Sequence, residues 1–210
     1  RNTGVELSAG YDNQWRDFRW ATNFTYSWNR NEIIELAANA VNPVTGEPLN
    51  LNKLDIKGLG KAKYILKEGG TLGDLYTTSD LRFNDNGYIE VDKNGNLLLT
   101  DEGDDIYLGS VFPDHNLAWR NDFSWKGINL GVLFTARIGG ICYSATQANM
   151  DLYGVSEASA AARDAGGVLI NGREMVDAQK WYQAIGSQSG LPQYYLYSAT
   201  NVRLQELSLG

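Results

Sequence analysis

The residues that could support catalysis are few in this sequence and stand apart from one another. His115 is the only histidine, so any Ser/His/Asp or Cys/His catalytic set would have to use it. It lies beside Pro113, where an irregular stretch gives way to a strand pattern, and no nucleophile-elbow sequence occurs. Cys142, the only cysteine, can form neither an internal disulfide nor a thiolate metal site by itself. These observations predict no catalytic residue, and therefore a protein that is not an enzyme.

An acidic stretch is the one candidate for metal binding. The segment Asp92-Lys93-Asn94-Gly95-Asn96 superficially resembles the start of a calcium loop, and further acidic residues follow at 101, 102, 104 and 105. Such a loop needs glycine at its sixth position, which is Leu97 here. The sequence therefore favours a type I′-like hairpin turn at Asn94-Gly95 over a calcium site near Asp92. No metal ion and no cofactor are expected.

Aromatic side chains outside the regular strand patterns are the candidates for ligand or partner contact. Their rings combine apolar area with a polar tip, which suits an interface. Packing within the loop itself is the alternative for each of them. Four tryptophans at alternating strand positions could also stack on sugars, but their spacing favours lipid-facing or core positions: Trp20, Trp28, Trp119 and Trp125. The six loop candidates are Tyr64, Tyr88, Tyr107, Tyr153, Trp181 and Tyr182.

Composition restricts the class of protein that carries these residues. The chain has 210 residues and a net charge of −7, whereas a nucleic-acid-binding protein would show a basic patch. No run of about 18 apolar residues is present, which excludes a transmembrane helix but not a membrane β-barrel with alternating strands. The chain starts at Arg1 without an initiator methionine and stops within a strand pattern. We therefore expect a piece of a longer protein.

The stretch 16–29 is the element around which the other patterns are arranged. Its even positions from Phe18 to Trp28 are mostly large aromatics, and its odd positions, including Asp17, Arg19 and Asn23, are mostly polar. This alternation is typical of a β-strand with two different faces. A strand of this length would run roughly 46 Å at ~3.3 Å per residue, longer than most soluble strands. The stretch alone fits equally a lipid-facing barrel strand and a long strand of a soluble β-sandwich.

The order of strands and connections separates these two alternatives. Strand patterns are predicted over 4–12, 16–29, 116–126, 128–138 and 194–209, the last with a bulge between Leu204 and Leu207. Short turns join the first two pairs, one of them at 12–14, whereas 30–115 and 140–193 read as long loops. The second loop contains helix candidates over 156–163 and 175–184. Short turns alternating with long loops are typical of outer-membrane barrels, short on the periplasmic side and long outside.

The fold class predicted from these patterns is all-β. We expect an antiparallel meander of long strands, which forms an incomplete portion of a transmembrane β-barrel with two long, partly structured extracellular loops. The even-numbered aromatics of 16–29 should face lipid, and the odd-numbered face should point into the lumen. Such a meander leaves open edges and an exposed aromatic face, so the isolated fragment is expected to self-associate.

Several sequence segments, in this order and spacing, resemble one known family. The chain is similar to the C-terminal barrel portion of SusC/RagA-like TonB-dependent outer-membrane receptors of the Bacteroidetes. The family's signal peptide, TonB box, plug, most of its barrel and its closing strands are absent from this sequence. The segments that carry the resemblance are Arg1–Leu7, Trp20–Ile33, Gly70–Tyr76, Phe112–Asn116, Phe123–Leu130, Arg137–Gly140 and Val202–Gly210.

This resemblance implies a function that the residues alone do not give. It implies active uptake of a nutrient, an oligosaccharide or other glycan or a peptide, across the outer membrane of a Gram-negative cell. It also implies a SusD-like surface lipoprotein over the extracellular loops, and energy delivered by TonB through the plug. Two alternatives stay open from the residues: a soluble β-sandwich carbohydrate-binding module, in which Phe18, Trp20, Phe24 and Tyr26 pack on a second sheet, and a surface adhesion protein.

Overall fold

The main element of the fold is a five-stranded antiparallel sheet. A computed structural model describes residues 1–37, 40–48, 51–59, 61–100, 103–186 and 189–210. The sheet has the strand order β1-β2-β7-β8-β13, so that it is a meander with two long excursions. Its strands are β1 (Asn2–Trp15), β2 (Phe18–Asn31), β7 (His115–Trp125), β8 (Ile128–Ile138) and β13 (Asn201–Leu209). An antiparallel meander of long strands is thus confirmed, and the sheet is open rather than closed into a barrel.

Two-residue turns close the two hairpins of this sheet. Lys126 and Gly127 both have positive φ, 48° and 90°, as a type I′ turn requires. The first turn lies at Arg16-Asp17 rather than at 12–14, and the strand predicted over 4–12 runs on to Trp15. The Trp15 ring stacks on Phe18 at 6.2 Å across the hairpin end, which extends the paired region. Asp17 therefore belongs to the turn and not, as predicted, to the polar side of the strand.

The register of the sheet brings the apolar positions of all five strands onto one side. We call this side the apolar face and the other the polar face. Because side chains alternate along each strand, one aligned register is enough to sort the whole sheet. Arg19 and Asn23 lie on the polar face, as predicted. The large side chains of the apolar face are Val5, Leu7, Tyr11, Trp15, Phe18, Trp20, Phe24, Tyr26, Trp28, Leu117, Trp119, Phe123, Trp125, Ile128, Leu130, Val132, Phe134, Ile138, Val202, Leu204, Leu207 and Leu209.

The last predicted strand is interrupted. A 3₁₀ turn spans Pro192–Tyr195, the short strand β12 covers Leu196–Ser198, and only Asn201–Leu209 joins the main sheet. The 3₁₀ turn thus occupies the first two residues of the predicted strand, and residues 199 and 200 separate β12 from the part that joins the main sheet. Within β13 the pairing with β8 shifts between Leu204 and Glu206. This bulge lies where the slip in the apolar phase predicted one, and it returns Leu207 to the apolar face.

The segment predicted as a loop over 30–115 contains a second sheet. Its four strands, in the order β3-β4-β5-β6, are Lys53–Leu59, Ala62–Lys67, Asp74–Thr77 and Ile106–Ser110. These strands are short, and β5 is buried along its whole length, so no polar and apolar alternation marks it in the sequence. Between β5 and β6 the chain forms a narrow ladder in which Leu81 pairs with Leu99, Phe83 with Ile89, and Val91 with Leu97.

In its described residues, the segment predicted as a loop over 140–193 contains three short helices and one complete small strand pair. The helices α1 (Ala145–Leu152), α2 (Glu157–Asp164) and α3 (Ala178–Ile185) begin after Ser144, Ser156 and Asp177, whose side chains cap them. The predicted helix over 175–184 starts three residues later because Glu174–Val176 forms β11, which pairs with β10 (Val168–Ile170). Strand β9 (Ile141–Tyr143) pairs with β12. Within the described ranges, no helix is long and apolar enough to cross a membrane.

The hydrophobic core of the chain lies in the two long segments and not on the main sheet. Its residues come from the ladder of the first segment and from the helices and short strands of the second. The two segments therefore fold against one another as one unit, which we call the loop unit. Its core consists of Leu81, Leu97, Ala148, Ile170, Val176, Ile185, Leu191 and Tyr195.

Polar contacts also join the two halves of the loop unit. The Asn171 side chain accepts from the Ile89 N–H at 2.8 Å and donates to the Ile89 carbonyl at 2.9 Å. The Gln193 amide donates to the Asp80 carboxylate at 2.8 Å. At the edge of the unit, the Arg173 guanidinium lies over the Tyr88 ring, 5.0 Å from its centroid. These contacts span more than 80 residues of sequence and fix the first segment against the second.

Candidate functional site

A large cavity among the described residues lies where the main sheet enters the loop unit. It has a volume of about 640 Å³. It is bounded by the ends of β2, β7 and β8 that lie next to the loop unit, and by the turns around residues 71 and 113. Five of the sequence segments that carry the family resemblance, far apart in the chain, meet around it. The lining residues are Asn2, Trp28, Asn29, Arg30, Asn31, Thr71, Leu72, Tyr107, Ser110, Phe112, Pro113, Asp114, Asn116 and Arg137.

Asn31, at the end of β2, attaches the loop unit to the sheet beside this cavity. Its amide nitrogen donates to Asn2 Oδ1 at 2.9 Å, and its Oδ1 accepts from the Leu72 N–H at 3.0 Å. Two residues on, the Ile33 N–H donates to the Gly70 carbonyl at 2.8 Å, and the Gly69 N–H donates back to Ile33 at 2.8 Å. The turn at 69–72 is therefore held to the strand end by several hydrogen bonds, which fixes one wall of the cavity.

A buried carboxylate shapes the floor of the cavity. Asp74 is only 4% exposed, and its two oxygens accept from the Thr71 N–H at 2.8 Å and the Thr71 hydroxyl at 2.5 Å. The same hydroxyl lies 3.3 Å from Ser110 Oγ. Next to it, a Cβ on Gly73 would come within 2.6 Å of the Phe112 ring, so only glycine leaves room for this aromatic wall. The cavity is thus built by packing and hydrogen bonding, not by a loose loop.

Tyr107 is the predicted contact residue that lines this cavity. Its ring meets Tyr76 at 5.3 Å with the planes tilted by 56°. Partial burial raises the pKa of the Tyr107 hydroxyl, and the nearby Asp74 carboxylate raises it further. The hydroxyl therefore stays protonated and can both donate and accept a hydrogen bond at neutral pH.

The remaining groups of the cavity are suited to binding and not to bond cleavage. Asn29, Asn116 and Arg137 lie on the polar face, where their side chains offer amide and guanidinium donors. In the described part of the chain, the Arg137 side chain makes no hydrogen bond or ion pair, so its guanidinium donors are uncommitted at the cavity. Amide and guanidinium donors beside aromatic rings fit a ligand rich in hydroxyl or amide groups. His115 is not among the lining residues, because it points to the apolar face and contacts Tyr26.

The other five predicted contact residues do not join Tyr107. Tyr153 and Tyr182 line a smaller cavity of about 190 Å³ beside α1 and α3, and Tyr153 is 77% exposed. Trp181 packs on the core of the loop unit and meets Tyr194 edge-on. Tyr64 is half-buried on β4, and Tyr88 lies under Arg173. A ligand or partner role for these residues stays a prediction.

The sequence offered a signal for the lining residues that were not predicted. Asn29, Asn31, Phe112, Asn116 and Arg137 all belong to the segments that carry the family resemblance. Singly, an asparagine at a strand end is ordinary, so alternation and composition do not mark it as a contact residue. Only the pairing of β2 with β7, and of β7 with β8, brings these positions to one end of the sheet.

The turn at Asp92 uses its carboxylate for its own backbone. Asp92 Oδ1 accepts from the N–H groups of Asn94 at 2.8 Å and Asn96 at 2.9 Å, and Oδ2 accepts from the Asn96 amide at 2.9 Å. These hydrogen bonds, that of the Asn96 N–H foremost, lower the pKa of Asp92. The prediction of a type I′ turn is wrong, because Gly95 has φ of 76° while Asn94 is not left-handed, as in a type I turn with a glycine bulge.

No candidate metal centre is found among the residues that the structure describes. No group of three or more His, Cys, Asp or Glu side chains is close enough to hold an ion there. Two members of the acidic stretch, Asp101 and Glu102, lie outside the described residues. The expectation that no calcium binds near Asp92 stays a prediction.

Several polar groups in the middle and upper part of the apolar face are paired within the sheet. Trp20 Nε1 donates to Asn121 Oδ1 at 3.1 Å, and Asn121 is buried although it lies on this face. Trp119 Nε1 donates to Thr22 Oγ1 at 3.0 Å, and the Thr22 hydroxyl donates to the Arg120 carbonyl at 3.1 Å. At the upper end, the Tyr26 hydroxyl lies 2.9 Å from His115 Nδ1. These polar atoms are therefore satisfied by other groups of the sheet and need no water.

The polar face carries ion pairs that cross from strand to strand. Arg120 on β7 binds Asp122 at 2.8 Å and reaches across β8 to Glu206 on β13 at 2.9 Å. Gly131 on β8, opposite Asp122 and Ser208, leaves room beside the guanidinium, because a Cβ there would lie 3.6 Å from Arg120 Nη2 and 2.5 Å from Ser208 Oγ. On the first hairpin, Arg19 binds Asp12 at 2.5 Å. One side of the sheet is thus charged and the other apolar.

Comparison with known proteins identifies what this arrangement is similar to. No protein-family model matches the chain. The chain is 23% identical to the TonB-dependent receptor P3 of Formosa agariphila, over 230 aligned residues that cover the whole chain and 21% of that receptor. The chain therefore spans about a fifth of the length of this relative.

Two solved structures share the fold. One is the RagAB peptide transporter, with a TM-score of 0.58 and 19% identity, and the other is the RagAB peptide importer in the closed-closed state, with 0.57 and 21%. Each match covers 99% of this chain and 22% of the other. The resemblance to SusC/RagA-like TonB-dependent receptors is thereby confirmed. The names of these relatives are those of a receptor and of peptide transporters, and none of them is the name of an enzyme.

Proposed function

We propose that this chain is part of an outer-membrane TonB-dependent active transporter that imports a nutrient, an oligosaccharide or a peptide. The observation that carries the proposal is the sorting of the main sheet into one continuous apolar face and one charged face. Both long segments leave the sheet at the same end, and both two-residue turns lie at the other. Outer-membrane barrels have this asymmetry, with the longer loops outside the cell.

The height of the apolar face supports a membrane environment. From Phe18 to Trp28 it spans ten residue steps of β2, or about 33 Å at ~3.3 Å per residue. At the strand tilt of ~40° typical of barrels, this becomes a band of about 25 Å, the apolar height of an outer-membrane barrel. Aromatic rings lie at both limits of the band, with Trp15 and Trp125 beside the turns and Tyr26 and Trp28 beside the loop unit. The band thus matches the aromatic girdles of such barrels.

The alternative of a soluble β-sandwich is not favoured by the sheet. In a sandwich carbohydrate-binding module, the aromatics of β2 would pack on a second sheet within the chain. Instead, Phe18 and Phe24 remain 37% and 36% exposed, and Trp119 and Trp125 remain about half exposed. No observation on the described residues favours an adhesin.

The site of transport follows from the same orientation. The polar face would line the lumen, and the cavity with Tyr107 and Arg137 would lie at its outer end, where an incoming ligand arrives first. The RagAB structures are of a peptide importer, and their two-component name supports a receptor paired with a second protein. A SusD-like surface lipoprotein over the loop unit, and TonB acting through a plug, complete the proposal.

The orientation can be tested in the full-length receptor with all native cysteines replaced. Leu207→Cys and Ser208→Cys place one reporter on each face at neighbouring positions of β13. Labelled with bimane in vesicles of brominated phosphatidylcholine, position 207 should be quenched and position 208 should not. Equal quenching at the two positions would contradict the proposal.

Sidedness and transport need two further measurements. In intact cells, the exposed native Cys142 should react with a membrane-impermeant maleimide, whereas Lys126→Cys in the short turn should stay unlabelled. Cells without the receptor should lose uptake of its nutrient, screened among peptides and oligosaccharides, and recover it with the full-length gene. Labelling of the turn from outside would reverse the assigned orientation.

A further inference from the structure

Beyond Trp28 the apolar face ends in a group of charged side chains. Arg1, Thr3, Arg30 and Glu32 line a groove of about 410 Å³ together with Trp28. The alternation of β1 and β2 puts these residues on the apolar side, because Thr3 pairs with Arg30 two positions beyond the Val5–Trp28 pair. On this side of the sheet, the aromatic side chain of Trp28 is therefore followed directly by the cationic side chain of Arg30.

The charges of this group do not cancel. Arg1 binds the Glu32 carboxylate at 2.5 Å and so neutralises it. Arg30 is exposed, and within the described part of the chain its side chain has no hydrogen bond or ion pair. One guanidinium is therefore left uncompensated at the upper limit of an apolar band, in a chain whose net charge is −7.

We propose that Arg30 and this groove bind the phosphate headgroup of an anionic lipid in the outer leaflet. The inference rests on the proposed function, since it needs the apolar face in the membrane and the loop unit outside. Arg30 then stands at the depth of the headgroups, one step above the Trp28 ring, and its side chain can extend to the interface. The acyl chains would lie along Val5 and Leu7, which remain more than half exposed.

The chemistry of the group selects a phosphate. A guanidinium offers a planar fork of donors that matches two phosphate oxygens, and Thr3 adds a hydroxyl donor beside it. A zwitterionic headgroup would bring a second cation toward Arg30 and Arg1. The occupant that satisfies both the apolar wall and the free cation is therefore an anionic phospholipid or glycolipid phosphate.

The test uses the full-length receptor in phosphatidylcholine nanodiscs that contain a minor share of phosphatidic acid. Native mass spectrometry counts the phosphatidic acid that remains bound after extraction. Arg30→Gln should weaken retention roughly fivefold, the effect of one interfacial cation on an anionic lipid. The matched control is Arg203→Gln, which removes the same charge from the polar face of β13 and should retain lipid as the wild type does.

The outcomes separate this inference from the proposed function. If Leu207→Cys is quenched by brominated lipid but Arg30→Gln and Arg203→Gln retain lipid equally, the headgroup site is refuted while the transporter stands. If position 207 is not quenched, the membrane orientation itself fails. Complete displacement of phosphatidic acid by inorganic phosphate would also overturn the proposal, because the lipid's acyl chains would then contribute nothing.

Discussion

The contact between Asn171 and Ile89 provides a direct test of whether the two long segments fold as one unit. Asn171 lies in the second segment with φ of 53°, and its amide makes both of its hydrogen bonds to the backbone of Ile89 in the first. The Asn171 side chain thus makes the same pair of hydrogen bonds to Ile89 that the backbone of a neighbouring β-strand would make. Asn171→Ala removes both partners and leaves the N–H and carbonyl of Ile89 unpaired in a half-buried position.

The stability lost in Asn171→Ala has two contributions, the lost hydrogen bonds and the left-handed backbone conformation. Two hydrogen bonds contribute about 1–3 kcal/mol together. Alanine is also disfavoured in the left-handed conformation by about 1–2 kcal/mol, which asparagine partly avoids. We expect Asn171→Ala to destabilise the loop unit by about 2–4 kcal/mol. Asn171→Gly loses the hydrogen bonds but fits the backbone, so it should lose only the first term.

Hydrogen exchange measured by mass spectrometry on the full-length receptor shows in which segments the loop unit is destabilised. In Asn171→Ala, amides in both 82–91 and 168–176 should exchange about 30-fold faster or more, since ~1.4 kcal/mol corresponds to a factor of ten. Asn171→Asp keeps the acceptor for the Ile89 N–H and should give an intermediate rate. Peptides from β7 serve as the unaffected reference. Faster exchange confined to 168–176, with 82–91 unchanged, would refute the single loop unit.

Three further predictions concern the turns and the main sheet. The lowered pKa of Asp92 means that the ionised carboxylate stabilises its turn above the ordinary carboxyl pKa, and that this stabilisation is lost as pH falls through the lower pKa of the folded state. Hydrogen exchange of the amides in this turn, corrected for intrinsic rates, should therefore become faster in acid. The matching turn at Asn84 has an uncharged acceptor, so its exchange should not respond to pH in this way. Gly131→Val should push Arg120 away from Glu206 and lower the stability of the receptor by about 1–3 kcal/mol in thermal unfolding, with Ala118→Val as the polar-face control. The isolated chain should sediment as an oligomer in detergent-free buffer, and a clean monomer would contradict the exposure of its apolar face.

The strands of the main sheet were predictable because one physical signal runs through them. Alternation from Phe18 to Trp28 marks two faces, and every partner strand repeats it. The turn at Arg16-Asp17 was misplaced because Asn13 and Gln14 look like turn residues, although Asn13 donates to the Tyr11 hydroxyl within the strand. The second sheet escaped prediction because a strand of four buried residues, Asp74–Thr77, has no periodicity to display.

The candidate site was less predictable for a related reason. Tyr107 could be selected as a loop aromatic, but its neighbours are asparagines at strand ends, which no local pattern distinguishes. Their role depends on the pairing of β2 with β7 across some 90 residues of intervening chain. The resemblance segments contained these positions, so relatedness pointed to the right residues where residue chemistry alone did not.

The separation of apolar residues between sheet and loop unit has a consequence for folding. The core residues of the loop unit come from both long segments, and none comes from the main sheet. The sheet instead keeps many of its large apolar side chains exposed, so its stability depends on what covers that face, which by the proposal is lipid and neighbouring barrel strands. The loop unit carries its own packed core and needs no such cover. Loss of the membrane should therefore expose the sheet to association while the Asn171–Ile89 contact persists, and exchange in 82–91 should stay slow in the aggregated chain.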